Sequence, residues 1–438
     1  MEKSKKIKLV TFAPHPNFGT CLQSYALFTV LKKLGHEVEF IYNNNDFPER
    51  GFIGKIKDFI RLFIPHSLVE DFWRWKRRKA VKTFAKQNNL SPDDSRKIVI
   101  HYPPVIQTLP NAIWAYRLSR IPFYSKILFF MKYRTKQWKK VYSYTFNDGN
   151  YKMRRIFTTD QYEQVVEDAD LFITGSDQIW NPYCCGFNPM MFLEFVNGRK
   201  KCISYSSSIS RPSFPQEVEE RAKNDLQKFE YIGVREQSSV ELLNKLLERN
   251  DIKLVVDPTY LLSTNEWQEF GNKATIEFNI PSKYIFCYFI GNRYNDYKDM
   301  VEEVKEKTNI KNVITITIDK MDKKINYGNG ILYKDGGPYE FIYLLSHASF
   351  ICMDSFHATI FALKFKKEFA HIMKTNEEDK TESSQNTRMH DLFNRYKLND
   401  RIYRKGSSDW LKPIDWNYID KISEKEITDS MQYLVNAI

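Results

Sequence analysis

The sequence lacks the features of a secreted or membrane-spanning protein. No apolar run among its 438 residues approaches the ~18–20 residues that span a bilayer. The basic N-terminus is followed neither by the apolar core nor by the small-residue cleavage site of a signal peptide. The six cysteines include no Cys-x-x-Cys pair and no histidine at zinc-finger spacing. We therefore expect a cytoplasmic protein with free thiols and no bound metal.

The common signatures of nucleotide and nucleic-acid binding are also missing. The sequence contains no G-x-G-x-x-G and no G-x-x-x-x-G-K-S/T motif, so neither a dinucleotide site nor a P-loop is supported. No zinc finger, base-stacking motif or clear helix-turn-helix accompanies the net charge of +12, and we expect no nucleic-acid partner. With 42% hydrophobic and 27% charged residues and no internal repeat, the chain is typical of a globular protein of two domains.

The basic charge is concentrated in one segment. Residues 51–140 contain 20 Lys and Arg against 5 Asp and Glu, a net charge of +15 that leaves the rest of the chain at −3. The segment is rich in aromatic residues such as Trp73 and Trp75, and residues 52–63 place their apolar side chains on one helical face. We predict a basic aromatic helical insertion at about 46–150. Such an insertion suits an anionic membrane surface on the cytoplasmic side, and the alternative is an insertion that packs on its own domain and solvates its charges.

Outside this insertion, strand-like and helix-like segments alternate along the chain in two blocks, the second of which begins after residue 262. The predicted strands cover residues 8–12, 38–42, 171–174, 201–205, 231–234, 254–256, 284–290, 313–318, 331–333 and 349–353, and the main predicted helices residues 20–34, 238–248, 339–346 and 424–438. Ser-x-x-Glu patterns at Ser238 and Ser263 predict capping boxes. The alternation favours an α/β fold of two doubly wound, Rossmann-like domains, 1–262 and 263–438.

A histidine and an arginine each lie between a predicted strand and a predicted helix. His357 follows the apolar strand at 349–353, at the sheet edge where open α/β folds bind ligands. The N-terminus of the next helix favours an anion there, and an imidazole can donate a proton near neutral pH. The alternative is a core histidine bonded to one backbone carbonyl. Arg235 is similarly placed to bind phosphate or carboxylate, and its structural alternative is an ion pair with Glu236.

Two further loops that follow predicted strands carry residue types suited to a sugar. Gly19 allows a tight turn and a close backbone approach, with the amides of Asn17 and Gln23 beside it. Asp177 can accept a hydrogen bond from a sugar hydroxyl and Trp180 can stack on a pyranose ring, although a helix cap and a core tryptophan are the simpler roles. The predicted acceptor site consists of Asn17, Gly19, Gln23, Asp177, Gln178 and Trp180.

Taken in order, six segments resemble the landmarks of the polysaccharide pyruvyl transferases. They are 17–27, 175–182, 204–209, 234–238, 256–259 and 354–361. The resemblance covers about residues 8–45 and 155–400. It implies two Rossmann-like domains facing across a cleft, as in B-type glycosyltransferases. It also implies transfer of the enolpyruvyl group of phosphoenolpyruvate to hydroxyls of a saccharide, which we expect to be lipid-linked, as a cyclic ketal and without a cofactor.

Carried over residue by residue, the resemblance assigns His357 as the catalytic histidine and Arg235 as an anion-binding arginine. Arg388 matches a later Ser/Arg motif. Ser355 stands where some members have arginine and Ala358 where glycine is frequent. We therefore expect Arg388, or a backbone nest at Ser355, to supply the missing charge for the donor phosphate.

Two other functions suit the same sequence. A nucleotide-sugar-dependent glycosyltransferase can use the same two-domain scaffold, since fold does not determine function. A non-catalytic, membrane-bound assembly protein can retain the fold without the reaction. The missing nucleotide signature disfavours the first, and the retained His357 and Arg235 disfavour the second.

Overall fold

A computed structural model describes most of the chain outside the basic segment. The described residues are 4–12, 17–43, 140, 151, 153–156, 159–291, 293–318, 327–374 and 386–438. The insertion predicted at about 46–150 therefore lies outside the described residues, apart from Lys140. Among the residues that are described, no helix is long and apolar enough to cross a bilayer.

Within the described residues, seven parallel strands form the N-terminal sheet in the order β3-β2-β1-β4-β5-β6-β7. They are β1 Lys6–Val10, β2 Glu37–Asn43, β3 Met153–Ile156, β4 Leu171–Thr174, β5 Lys201–Ser207, β6 Tyr231–Val234 and β7 Lys253–Leu254. The central strand β1 pairs with β2 on one side and β4 on the other, with Ile7 opposite both Val38 and Leu171. The chain thus winds outward in both directions from β1, which confirms the predicted doubly wound domain.

In the described part of the second block, five parallel strands repeat this pattern in the order β10-β9-β8-β11-β12. They are β8 Ile285–Tyr288, β9 Val313–Ile316, β10 Ile331–Tyr333, β11 Phe350–Met353 and β12 Phe369–His371. β8, β9 and β11 are fully buried along their length, because helices cover both faces of a parallel sheet. The second Rossmann-like domain is therefore also confirmed.

Helices connect these strands and cover the sheets. The described α-helices are α1 Phe18–Lys33, α2 Thr159–Glu167, α3 Pro182–Cys185, α4 Gln216–Leu226, α5 Gln237–Leu247, α6 Thr264–Gly271, α7 Tyr294–Thr308, α8 Pro338–His347, α9 Phe356–Lys364, α10 Thr387–Tyr396 and α11 Trp416–Ala437. Short 3-10 helices cover Glu194–Val196, Pro258–Tyr260, Tyr327–Asn329, Asn399–Arg401 and Asp409–Leu411.

Of the two predicted capping boxes, one is confirmed. The Ser263 side chain and Glu266 form the reciprocal cap at the start of α6. The box predicted at Ser238 is wrong, because α5 begins one residue earlier, with Glu236 as its N-cap. The Ser238 hydroxyl instead binds Asp391 of the C-terminal block.

The two domains share one apolar cluster. Phe18, the first residue of α1, stacks on Phe341 of the C-terminal domain at 5.0 Å between ring centroids and lies 5.6 Å from the ring of Tyr288. On the next turns of α1, Tyr25 packs on Trp267 at 5.8 Å. This contact holds the N-terminus of α1 against the carboxyl edge of the second sheet, where the functional residues lie.

The last helix returns to the first domain. α11 begins at Trp416, eight residues before the predicted start, since the Asp415 side chain caps it by accepting from Tyr418 N at 3.0 Å. Its final turns reach the N-terminal sheet, where the Tyr433 hydroxyl donates to Ser204 O at 2.8 Å. The end of the segment predicted as the second domain is therefore packed on the first.

Candidate functional site

His357 lies where the carboxyl edges of the two sheets meet. Ser355 is the N-cap of α9, and its hydroxyl accepts from Ala358 N at 3.5 Å. His357 is therefore the second residue of the helix, with only 6% of its surface exposed. Its Nε2 lies 3.3 Å from Asp257 Oδ2, a carboxylate of the N-terminal domain. The predicted strand-to-helix placement of His357 is confirmed, and the side chain faces the other domain.

The backbone of Gly19 lies close to this histidine. A Cβ atom added at Gly19 would lie 2.3 Å from His357 Nδ1 and 2.7 Å from its Cγ, so glycine is required by the packing. Asn17 caps α1, the helix that contains Gly19, and its side-chain oxygen accepts from Gly19 N at 3.1 Å. The N-termini of α1 and α9 thus converge on one point, and both helix dipoles favour an anion there.

Asp257 is a site residue that the sequence did not identify. Its Oδ2 accepts from Arg235 Nη1 at 2.8 Å and from Ser176 Oγ at 3.3 Å, while its Oδ1 accepts from Thr259 Oγ1 at 2.7 Å. Burial alone would raise the pKa of Asp257, but the charges of His357 and Arg235 hold it well below its usual range. The side chain is therefore a buried, ionised carboxylate that faces the imidazole.

Arg235 lies at the end of β6 and is only 2% exposed. Besides Asp257, its guanidinium contacts Glu236 Oε1 through Nε at 3.3 Å and faces Asp177 Oδ1 at 3.7 Å through Nη2. Burial alone would lower the pKa of Arg235, but the three carboxylates outweigh it and raise the pKa. Nη2 has no hydrogen-bond partner among the described residues. The predicted ion pair with Glu236 is thus present, yet one guanidinium nitrogen remains able to donate to a ligand.

Asp177 links the loop after β4 to the first turn of α1. Its Oδ2 accepts from Thr20 Oγ1 at 2.9 Å, and its Oδ1 accepts from Gln178 N at 2.9 Å. Burial would raise the pKa of Asp177, but the charges of His357, Arg235 and Arg388 lower it. Asp177 therefore remains ionised, although it is only 9% exposed.

Arg388, in the first turn of α10, brings a second guanidinium to the site. Its Cζ lies 5.5 Å from the ring centroid of Phe356, and that of Arg235 lies 4.3 Å from the same centroid. With its oxygen turned toward the guanidinium, the Gln178 amide accepts from Arg388 Nη1 at 2.7 Å. Nε of Arg388 is buried and lacks a hydrogen-bond partner in the described chain. Burial, and next the charge of Arg235, lower the pKa of Arg388.

Lys374 is the second site residue that the sequence did not identify, and it adds a cation. It follows β12 by three residues, beside the strand β11 that leads into His357. Burial lowers its pKa to about 8; the charge of Arg388 adds to this effect, and that of Asp354 opposes it. Nothing in the local sequence distinguishes this lysine from the many surface lysines, since its partners come from distant segments.

Two predicted acceptor residues are engaged by the protein itself. Gln23 is fully buried: its Nε2 donates to Thr11 Oγ1 and to Thr20 O, each at 3.1 Å, and its Oε1 accepts from Ser176 N at 3.2 Å. Because both ends of the amide are bound within the protein, the predicted contact of Gln23 with a sugar is wrong. Gln23 instead braces α1 against the loop after β4.

Trp180 belongs to the core of the N-terminal domain. Its side chain has no exposed surface, and its indole Nε1 donates to Met191 O at 3.0 Å. The ring packs between Phe192 and Phe229, each at 5.8 Å between centroids. No face of the indole is open to a sugar, so the predicted stacking role is wrong and the core alternative is correct.

The charged residues of the site are buried in this arrangement. His357, Arg235, Arg388, Asp177 and Asp257 are each at most 9% exposed. Across the described ranges, no group of three or more His, Cys, Asp or Glu side chains is arranged to hold a metal ion.

Comparison with known proteins identifies a family. The family model for polysaccharide pyruvyl transferase matches residues 17–373. No curated protein matches the sequence. Among solved structures, UDP-GlcNAc 2-epimerase from Methanocaldococcus jannaschii is 11% identical, with 96% of this chain and 99% of that chain covered and a TM-score of 0.42. The same enzyme from Neisseria meningitidis is 10% identical, with 98% and 99% covered and a TM-score of 0.42. Glycosyltransferase SnogD from Streptomyces nogalater is 10% identical, with 98% and 96% covered and a TM-score of 0.37.

Proposed function

The chain belongs to the polysaccharide pyruvyl transferase family, and we propose on that basis that it transfers the pyruvyl group of phosphoenolpyruvate to two hydroxyls of one saccharide as a cyclic ketal. One observation supports this most: His357 lies at two converging helix N-termini, 3.3 Å from a buried carboxylate and close to two arginines. This combination provides a proton donor inside an anion-binding pocket, which is what the reaction requires.

The donor is proposed to bind through its phosphate and carboxylate. Arg235 Nη2 and Arg388 Nε are buried N–H groups without hydrogen-bond partners among the described residues, and a buried donor without a partner is unfavourable. Binding of an anion satisfies both. Lys374 adds a third cation to the two arginines. Burial lowers its pKa to about 8, and a bound anion would favour its protonated form. Ser355 caps α9, and the backbone N–H groups at the N-terminus of that helix are proposed to bind the phosphate.

The proposed chemistry begins with protonation of the methylene carbon C3 of the enol by His357. The neighbouring C2 becomes electrophilic, and a saccharide hydroxyl forms a C–O bond to it while the hydroxyl proton returns to the imidazole. A second hydroxyl of the same sugar then bonds to C2, the bond from C2 to the phosphate oxygen breaks, and the second proton leaves with inorganic phosphate. Asp257 orients the imidazole throughout, and the arginines hold the departing phosphate.

The acceptor is proposed to approach from the N-terminal domain. Asn17, Asp177 and Gln178 remain its candidate ligands, and Gly19 leaves room for the imidazole beside them. We further propose that the acceptor is lipid-linked and that residues 51–140, with their net charge of +15, bring the enzyme to an anionic membrane surface.

A thermal-shift comparison tests the donor assignment. Phosphoenolpyruvate at 100 times its Kd should stabilise the folded protein by ~2.7 kcal/mol, whereas UDP- and GDP-sugars should not. Turnover is then followed as phosphate release that depends on both donor and saccharide. His357→Ala should retain the fold and lose ~10²–10⁴ in rate. Stabilisation by nucleotide-sugars and not by phosphoenolpyruvate would refute the proposal in favour of a glycosyltransferase.

A further inference from the structure

We propose that Asp391 is a positioning residue: a carboxylate of the C-terminal domain that caps α5 of the N-terminal domain and thereby holds Arg235 in the site. This inference rests on the proposed function for its kinetic consequences. Its structural basis is independent of that function, since it lies in the contacts between α5 and α10.

The first turn of α5 receives its cap from another domain. Within the part of the chain that the structure describes, the N-cap residue Glu236 makes no side-chain cap bond. Its carboxylate accepts instead from Ser208 Oγ at 2.5 Å and from Ser239 Oγ at 3.0 Å. Asp391 Oδ2 takes the place of a cap, accepting from Ser238 N at 3.3 Å and from Ser238 Oγ at 2.7 Å.

A second contact from α10 reaches Arg235 itself. Arg395 Nη2 donates to the backbone carbonyl of Arg235 at 3.4 Å, while Nη1 of the same guanidinium pairs with Glu426 at 3.5 Å. Arg388, Asp391 and Arg395 are spaced by three and four residues, so they share one face of α10. That single face therefore supplies a site guanidinium, a helix cap and a backbone contact to the opposite domain.

The geometry explains how a cap at Ser238 affects Arg235. Arg235 precedes the N-cap directly, so the orientation of the first helical turn fixes the direction in which its side chain leaves the backbone. A carboxylate at a helix N-terminus satisfies a free N–H and interacts favourably with the dipole. Because this carboxylate belongs to the other domain, the cap depends on the contact between α5 and α10. The C-terminal domain, which carries His357, thus also holds Arg235 in place for the donor.

The test compares donor and acceptor kinetics in Asp391 variants. Asp391→Ala should raise the KM for phosphoenolpyruvate about tenfold, the equivalent of ~1.4 kcal/mol, and leave the KM for the saccharide unchanged. Asp391→Asn should stay within about twofold of the wild type, because asparagine caps helices as well as aspartate does. A residue that only stabilises the fold would lower the active fraction without this split between the two KM values.

The matched control is Asp251→Ala. Asp251 pairs with Arg249 at 2.8 Å beyond the other end of α5, so its replacement removes a carboxylate and its contacts far from the site. A donor KM in Asp391→Ala no higher than in Asp251→Ala would overturn the proposal, as would an Asn variant as impaired as the Ala variant. Should Asp391→Ala not fold, Ser238→Ala removes the 2.7 Å bond alone and should give a smaller rise in donor KM; no rise would overturn the proposal.

Hydrogen exchange separates this proposal from the proposed reaction. In Asp391→Ala the amides of residues 238–240 should exchange faster than in the wild type and in Asp251→Ala, whether or not the protein turns over phosphoenolpyruvate. Unchanged exchange there overturns the positioning role. A wild-type protein that shows no transfer refutes the proposed function only, because the exchange measurement stands without it.

Discussion

Replacing Gly19 by alanine tests whether the close approach of α1 to His357 is required for activity. Gly19 is the second residue of a 16-residue helix, so its backbone already suits alanine. Alanine in a helix is favoured over glycine by ~0.5–1 kcal/mol. The new Cβ, however, would lie 2.3 Å from His357 Nδ1 and 3.0 Å from His357 Cβ. Those distances cannot persist, and overpacking of this kind costs ~1–3 kcal/mol.

The two effects on stability largely offset each other, so the melting temperature should fall by only a few degrees at most. The imidazole, in contrast, must move away from Asp257, and a displacement of ~1 Å at a reacting group can cost ~10²-fold in rate. We therefore expect Gly19→Ala to lose activity far out of proportion to its loss of stability. The assay is kcat/KM from phosphate release, with a thermal melt of the same preparation.

A double-mutant cycle identifies the cause. In a His357→Ala background the ring is gone and only the 3.0 Å contact with the Cβ of residue 357 remains, so adding Gly19→Ala should cost less stability than it does in the wild type. The double mutant should then be more stable than the sum of the two single effects predicts, by an interaction free energy of ~1–3 kcal/mol. Wild-type activity in Gly19→Ala, or an equal loss of stability in both backgrounds, would refute the steric argument.

Three more predictions concern the charges. Arg235→Lys should lower both donor affinity and the melting temperature, because lysine keeps the charge but loses the planar fork that contacts Asp257 and Glu236. Titration with the donor and a thermal melt check this, and an unchanged melt would mean that the carboxylates do not depend on the guanidinium. Since burial lowers the pKa of Lys374 to about 8, this side chain is cationic below that pH and neutral above it. Donor affinity should therefore fall as pH rises through about 8, and a Lys374→Met variant that keeps the same pH profile would assign the titration to another group. The full chain should sediment with anionic but not neutral vesicles, since each basic residue near such a surface contributes ~1 kcal/mol. Binding to neither, or to both equally, would remove the membrane role. The protein should no longer sediment with anionic vesicles when glutamine replaces Arg74, Lys76, Arg77, Arg78 and Lys79.

The regular elements were predictable because parallel sheets have a simple sequence pattern. Strands β4 and β6 occupy the predicted residues 171–174 and 231–234, since a strand buried on both faces is a short apolar run between polar turns. The edge strand β10 also occupies its predicted residues, 331–333. The same reasoning placed His357 at a sheet edge. These inferences need only local sequence.

The partners of the site residues were not predictable, because they come from distant segments. Asp257 precedes a proline and reads as a turn residue, yet its carboxylate meets a histidine 100 residues later in the chain. Trp180 follows a strand as a sugar-stacking residue would, but Met191 O satisfies its only polar group and lets it enter the core. Ser238 is not the predicted cap because α5 begins before it, and its hydroxyl donates instead to Asp391 of the other domain, a contact that local sequence does not show.

The return of α11 to the N-terminal sheet affects the order of events during biosynthesis. Ser204 O receives its hydroxyl bond from Tyr433, and Val256 N donates to Ser430 Oγ at 3.0 Å. In the same region Lys5 Nζ donates to Ile438 O. Domains usually fold in the order in which the ribosome releases them. Here the first domain cannot form these hydrogen bonds until α11 has emerged, so a nascent chain stalled before residue 430 would expose the uncovered part of the first sheet to chaperones and proteases.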